Sequence, residues 1–401
     1  AIGAVYTEIG DIDQAITYHE RAKTIYESTI GKRRPQTAIS YYNLGINHIF
    51  KGKMTKALDY LEQALAIQRD IFGERHSDTS DTVYCISVVY SRLGDIKTSL
   101  AYYKEALSIN KELFGERHPN TAAILNGIGS MYIKKGDFNK ASGYIQKALS
   151  IDQETLGEKH PQTTCDLINM GIIYGNKGDQ ERALRYLEKA LSLQKEIFGE
   201  KDFRTGYTMN FIGEMYIDKG DIDKALEYVL RSLTISTETL GERHNNTAVS
   251  LHILGDIYIE KGDYVKARSY LEQALDISNE NVGPNHIQTA HSMNSMGLVY
   301  LDNGDFEKAL SFIEKALKVF KKHVEMQHPG LLDCLKNIGK VYLAQKKYDK
   351  ALDYFQQLYS IRKETFGEKH QWTIEAISEI VNTCEKMGDR AKALEYQKLI
   401  Q

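Results

Sequence analysis

"FGERHPNTA", Phe114 to Ala122, sets a glutamate and a histidine two residues apart between a glycine and a proline. Near copies recur as "LGEKHPQTT" from Leu156, "LGERHNNTA" from Leu240 and "FGEKHQWTI" from Phe366. All fall on one register. Gly31, Gly73, Gly115, Gly157, Gly199, Gly241, Gly283 and Gly367 are spaced by 42 residues or twice that, with Glu325 in the place of one glycine. A second column runs Gly10, Gly52, Gly94, Gly136, Gly178, Gly220, Gly262, Gly304 and Gly388, broken by Lys346 and usually followed by aspartate. A fixed period of this size marks a repeat architecture, in which each unit buries its apolar face against the next.

The segments between the stops run about 14 and 20 residues, and their apolar positions recur every three or four, the spacing of an amphipathic helix. In "DKALEYVLRSLTIS", Ala225, Tyr228, Val229, Ser232 and Leu233 share one face, while Lys224, Glu227 and Arg231 remain in water. Glycine after the last periodic residue closes a helix in a left-handed conformation without a side-chain penalty. The aspartate of "KGD" caps the helix that follows.

The opening motif is therefore punctuation between helices. Pro35, Pro119, Pro161 and Pro329 fit a first helical turn, where the missing N–H has no intrahelical partner. Asn120 and Thr121, like Asn246 and Thr247, are suited to capping the orphan amides there. A metal needs three or four ligands converging at about 2 Å, whereas His118 and His160 stand one repeat apart, and Arg34 and Asp202 replace the histidine in other copies. No metal and no cofactor is expected.

A chain of 401 residues, 42% hydrophobic and 26% charged, has enough apolar surface for a sizeable core. A formal charge of -3 offers no basic face for phosphates, so nucleic acid is not an expected partner. No apolar run reaches the 18 residues of a membrane span. Cys85, Cys165, Cys334 and Cys384 are far apart, which predicts free thiols and a reducing, cytoplasmic setting. The chain opens "AIGAVYTEIG", without Met or a cleavage signature, and its last repeat is cut short; a longer protein with further repeats, a cap or another domain is expected.

The shorter helices carry the Leu-Gly-x-x-Tyr pattern, as at Leu254, Gly255 and Tyr258, with other residues in some of its places elsewhere, and the longer ones Ala-x-x-x-aromatic or aliphatic, as at Ala351 and Phe355. This resembles the tetratricopeptide repeat, in which small residues allow close helix approach. The usual unit has about 34 residues; here the second helix meets no proline at its usual stop and continues to the Phe-Gly-Glu turn. The 42-residue form with its Gly-Glu-x-His-Pro-x-Thr connector resembles the kinesin light chain subfamily. The resemblance implies an all-α, right-handed superhelical solenoid of about ten antiparallel helix pairs, a single array over residues 1–401, with shorter helices starting near 37, 79, 121, 163, 205, 247, 289, 331 and 373 and lining the concave face.

Enzyme signatures are absent, so the expectation is a non-catalytic protein-interaction scaffold; the alternative is a regulatory or sensor segment of a larger signalling or effector enzyme. The resemblance further implies an extended peptide in the groove of the shorter helices. Two neighbouring columns there include Tyr42, Tyr84, Asn126, Asn210, Asn294, and Asn43, Asn169, Asn337. An asparagine amide both donates to and accepts from a peptide backbone. A carboxylate clamp of the chaperone type is not expected, because only Lys336, Asn337 and Lys340 supply its chemistry. Glu214 with Asp218, Asp256 with Glu260, and then Asp302 form an acidic strip of like charges four apart, which repel on a helix. The strip predicts a partner segment bearing Lys or Arg, with an aromatic or aliphatic anchor at Ile39, Tyr42, Ile46, Tyr84 and Val88.

Overall fold

The computed structural model describes residues 2–400 and contains twenty helices and no strand among them. Two compact units divide the chain, Ala1–Met131 with Gly143–Gly157, and Tyr132–Ser142 with Glu158–Gln401. The first holds α1 (Ile2–Glu8), α2 (Ile12–Thr29), α3 (Pro35–Phe50), α4 (Met54–Phe72), α5 (Ser77–Arg92) and α6 (Ile96–Phe114). The hairpin of α7 (Pro119–Lys135) and α8 (Phe138–Thr155) is divided between the units. The second continues with α9 (Pro161–Asn176), α10 (Gln180–Phe198), α11 (Phe203–Asp218), α12 (Ile222–Leu240), α13 (Asn245–Glu260) and α14 (Tyr264–Asn281). It ends with α15 (Ile287–Asp302), α16 (Phe306–His323), α17 (Pro329–Ala344), α18 (Tyr348–Phe366), α19 (Gln371–Met387) and α20 (Arg390–Gln397).

Within each unit a shorter helix packs on the longer one after it, and that one on the next shorter helix. In the second unit α11, α13, α15 and α17 also touch one another in succession, which puts the shorter helices on the inside of the bend. The Leu-Gly-x-x-Tyr glycine explains the tight pairing. A methyl on Gly255 would stand 2.5 Å from Leu271 Cγ, and on Gly297 2.3 Å from Ile313 Cγ1. Leu271, Ile313 and the alanines Ala267, Ala274, Ala309 and Ala316 are fully buried around these crossings. The tyrosine four residues after Leu stacks on the longer helix: Tyr258 lies 5.5 Å from Tyr270 with rings 13° apart. Lys266 covers Tyr258 at 5.1 Å while pairing with Asp263 at 3.0 Å.

The aspartates of "KGD" cap as the sequence predicts; Asp263 accepts from the Lys266 amide at 3.1 Å. The connectors differ from expectation in three ways. The shorter helices begin two residues early, at Pro35, Ser77, Pro119 and so on, because the residue before them, a histidine in most copies, takes the capping position. His244 Nδ1 accepts from the Asn246 amide at 3.1 Å, and His118 does the same for Asn120. Asp202, standing where others have histidine, accepts from Arg204 at 2.9 Å. The threonine, expected to cap, instead donates its hydroxyl backward to the glycine carbonyl, as in Thr121 to Gly115 at 2.9 Å. Finally, Gly241 has the positive φ of 97° foreseen, but with ψ 162° it lies beyond the left-handed helical region, in a conformation open essentially to glycine alone.

Candidate functional site

The inner face of the second unit is read along α11 at Tyr207, Asn210, Glu214 and Asp218, a spacing that keeps one face of a helix in line. The 42-residue period carries the same places to His252 and Asp256 on α13, to His291 and Asn294 on α15, to Asp333 and Lys336 on α17 and to Glu375 on α19. Negative charge concentrates here. Burial, then the neighbouring Asp218 and Asp256, push Glu214 up to about 8. Asp256 rises to about 7 by burial and by Asp333, against the lowering effect of a hydrogen bond from Ser295. Solvent reaches Asp218, yet burial around it and Asp333 raise it to about 6. Asp333 and Glu375, three and four repeats on, raise Asp218 while Lys336 lowers it, so these helices face a common bore.

Two cations near this face are already engaged. Lys336 Nζ is 3.7 Å from Glu375, which Arg362 also holds at 2.7 Å. Beside the carboxylates runs a row of uncharged imidazoles: the His291 ring lies 6.0 Å from both His252 and His328. Burial depresses His252 to about 4 and His291 to about 3, the latter helped by repulsion from His252 and His286. His252 Nε2 approaches Asp256 at 3.4 Å, while its Nδ1 has no partner. No group of three His, Cys, Asp or Glu among the described residues is placed to hold a metal.

The asparagines expected to grip a peptide are drawn into the stack. Asn337 Nδ2 donates to Asn294 Oδ1 at 3.2 Å, and Asn210 exchanges hydrogen bonds with Ser250 at 3.0 and 3.1 Å. Asn210, Asn294 and Asn337 are buried, as is Asn126 in the first unit; Asn43 and Asn169 are half-buried. Tyr42 and Tyr84 stand half-buried in the first unit, Tyr42 beside Cys85 Sγ at 3.7 Å and Tyr84 edge-on to Tyr103 at 5.8 Å. Glu260 and Asp302 lie exposed at the ends of α13 and α15. The structure thus groups Glu214, Asp218 and Asp256 and adds Asp333, His291 and Glu375, which sequence reading missed. Their column, Cys165, Tyr207, Val249, His291, Asp333, Glu375, is visible at period 42 but mixed in chemistry, so no single residue type announces it.

The family follows from these features. The tetratricopeptide repeat model matches residues 1–70, 78–154, 122–196, 204–280, 254–322 and 327–399, and the chain belongs to the tetratricopeptide repeat family. Among solved structures, a Rap protein complexed with Competence and Sporulation Factor is 15% identical, covering 90% of this chain and 96% of its own, with a TM-score of 0.68. BtubC (BKLC) from P. vanneervenii is 21% identical over 59% of this chain and 91% of its own, with a TM-score of 0.42. Nearly identical TPR-like repeats of a kinesin light chain protein from Podosopora anserina are 21% identical over 48% and 92%, with a TM-score of 0.39. No curated protein sequence matches the chain. No helix among the described residues is long and apolar enough to cross a membrane.

Proposed function

We propose that the chain is a protein-interaction scaffold whose second unit receives an extended, Lys- or Arg-bearing segment of a partner along the inner face of α11, α13, α15 and α17. The observation that carries this reading is the grouping of Glu214, Asp218 and Asp256 on one face, where burial raises the proton affinity of all three, Asp218 and Asp256 add to it at Glu214, and Asp333 adds to it at the two aspartates. An isolated buried carboxylate favours protonation; a partner ammonium or guanidinium in hydrogen-bond reach makes the ionised form the better one. The tetratricopeptide scaffold and a reducing cytoplasmic setting, with the four cysteines free, accord with it.

Binding of a cation then expels protons. Titration of the protein with octalysine at pH 7, in two buffers of different ionisation enthalpy, is expected to show proton release that disappears in the Glu214→Gln, Asp256→Asn double variant. Octalysine that fails to bind, or binds equally well to that variant with its helix content intact, overturns the proposal.

A further inference from the structure

Two contacts join parts of the second unit that are far apart in sequence. The amide of Glu325 donates to the Lys135 carbonyl at 2.8 Å, and the side chains of the same two residues pair at 2.6 Å. One repeat further along, His370 Nε2 lies 3.2 Å from the Lys177 carbonyl. Both contacts set the turn after a shorter helix against a connector more than four repeats downstream. Glu325 is the residue that breaks the connector glycine column, and the helix before it ends in extended Val324, with ψ 165°. The exception in the repeat thus falls at a contact the regular connector would not make.

The glycines of the "KGD" turns make the same distinction independently. A methyl on Gly136 would meet His328 Cα at 3.0 Å, and one on Gly178 would meet the His370 ring at 2.6 Å. At Gly52, Gly94, Gly220, Gly262 and Gly304, which share the positive φ, it would meet nothing. The two turns that touch a later connector are therefore packed against it. Because the shorter helices line the inside, these contacts close the coil of the second unit around its acidic face.

We infer that the Lys135–Glu325 and Lys177–His370 contacts form a clasp that must release before a partner segment reaches Glu214, Asp218 and Asp256. This deepens the proposed function and rests on it for the identity of what is admitted. The Lys135–Glu325 pair is half-buried on both sides, its hydrogen bonds are few, and solvent and salt screen its charge, so release is cheap compared with unstacking a repeat. Gating of this kind acts on the rate of access.

The contact and the gate are tested separately. A carbodiimide, which joins a touching amine and carboxylate without a spacer, is expected to link Lys135 to Glu325 in the wild-type chain, alongside Lys261 to Asp223, a neighbouring-repeat pair at 2.8 Å. Linkage of the second pair but not the first overturns the clasp. The gate is tested by octalysine association in Gly178→Asn, Glu325→Lys, with Gly262→Asn as control for the strain of asparagine in that turn. The association rate is expected to rise about fivefold, to stay unchanged in the control, and to fall back when Lys135→Glu restores the reversed pair in a Gly178 background. An unchanged rate with the cross-link present overturns the gate. Octalysine binding to neither protein overturns the groove reading, and the gate with it, while the cross-link still reports the contact.

Discussion

The Thr247 hydroxyl donates to the Gly241 carbonyl at 2.8 Å and so ties the end of α12 to the start of α13. With His244 holding the Asn246 amide, the Gly-x-x-His-x-x-Thr motif satisfies one amide at the helix start and adds a second donor to the Gly241 carbonyl, which also accepts from the His244 amide at 3.3 Å. Thr247 is buried, so Thr247→Val removes one hydrogen bond while Gly241 keeps its amide donor, a loss of about 0.5–1.5 kcal/mol. His244→Ala loses a cap, about 1 kcal/mol, whereas His244→Asp is expected to be nearly neutral, since Asp202 performs that role one repeat earlier. Amide hydrogen exchange in α12 and α13 reads these changes; equal protection in Thr247→Val would show that the bond contributes nothing.

Gly255 is confined by Leu271. With the ideal Cβ 2.5 Å from Leu271 Cγ, Gly255→Ala forces the two helices apart or the leucine off its rotamer, at about 1–3 kcal/mol. Leu271→Ala alone leaves a cavity and costs about 2–5 kcal/mol. The double variant should cost clearly less than the two added together, because the new methyl occupies part of the vacated space. Additive losses in urea unfolding would mean that the helices do not meet at this point.

Much of this was legible before the structure. Helix pairing, the two glycine stops and the capping aspartates followed from period and residue chemistry, because each depends on contacts within one repeat or with the next. The sequence marks the connector as a turn without assigning its histidine a role, because histidine is an uncommon cap; that role appears only in the Nδ1 geometry of His244. Asn294 and Asn337 stand in neighbouring columns of the sequence pattern, but the spacing of adjacent shorter helices lets them bond to each other, which a one-dimensional pattern does not give. The Lys135–Glu325 contact depends on the curvature of the stack, a property accumulated over more than four repeats; only the missing glycine at Glu325 hinted at it.

The imidazole row sets the acid limit of the second unit. His252, His291 and His328 are held near 4, 3 and 3 by burial, below the ordinary imidazole value of 6.5. A base with a depressed folded pKa binds more protons when unfolded, so its contribution is complete above pH 6.5 and is lost as pH falls toward 4 and 3. His291 also faces Phe320 and the backbone of Gly330, so its protonation finds little compensation, whereas His252 has the Asp256 carboxyl at 3.4 Å. Chemical shifts of the imidazole protons are expected to leave His291 and His328 uncharged at pH 5. Titration of either near 6.5 in the folded chain would contradict this packing.

Glu214 produces the opposite slope. Its folded pKa of about 8 lies above the ordinary 4.5, so the folded chain keeps a proton that the unfolded chain has released. The contribution to stability is fully present below pH 4.5 and is lost as pH rises through 8. Asp256, at about 7, and Asp218, at about 6, add to the loss over the same range. Glu214→Gln removes the ionisation while keeping shape and hydrogen-bonding capacity, and it should be nearly neutral at pH 4 yet stabilise the second unit by about 1–3 kcal/mol at pH 8.5, after allowance for solvent screening. Asp333→Asn, by relieving repulsion on both Asp218 and Asp256, should move the same way by a smaller amount. Urea midpoints measured from pH 4 to pH 9 test the sign directly. A Glu214→Gln variant that tracks the wild type across the whole range would show that Glu214 is ordinarily solvated, and the bore wide enough for water to screen its charge.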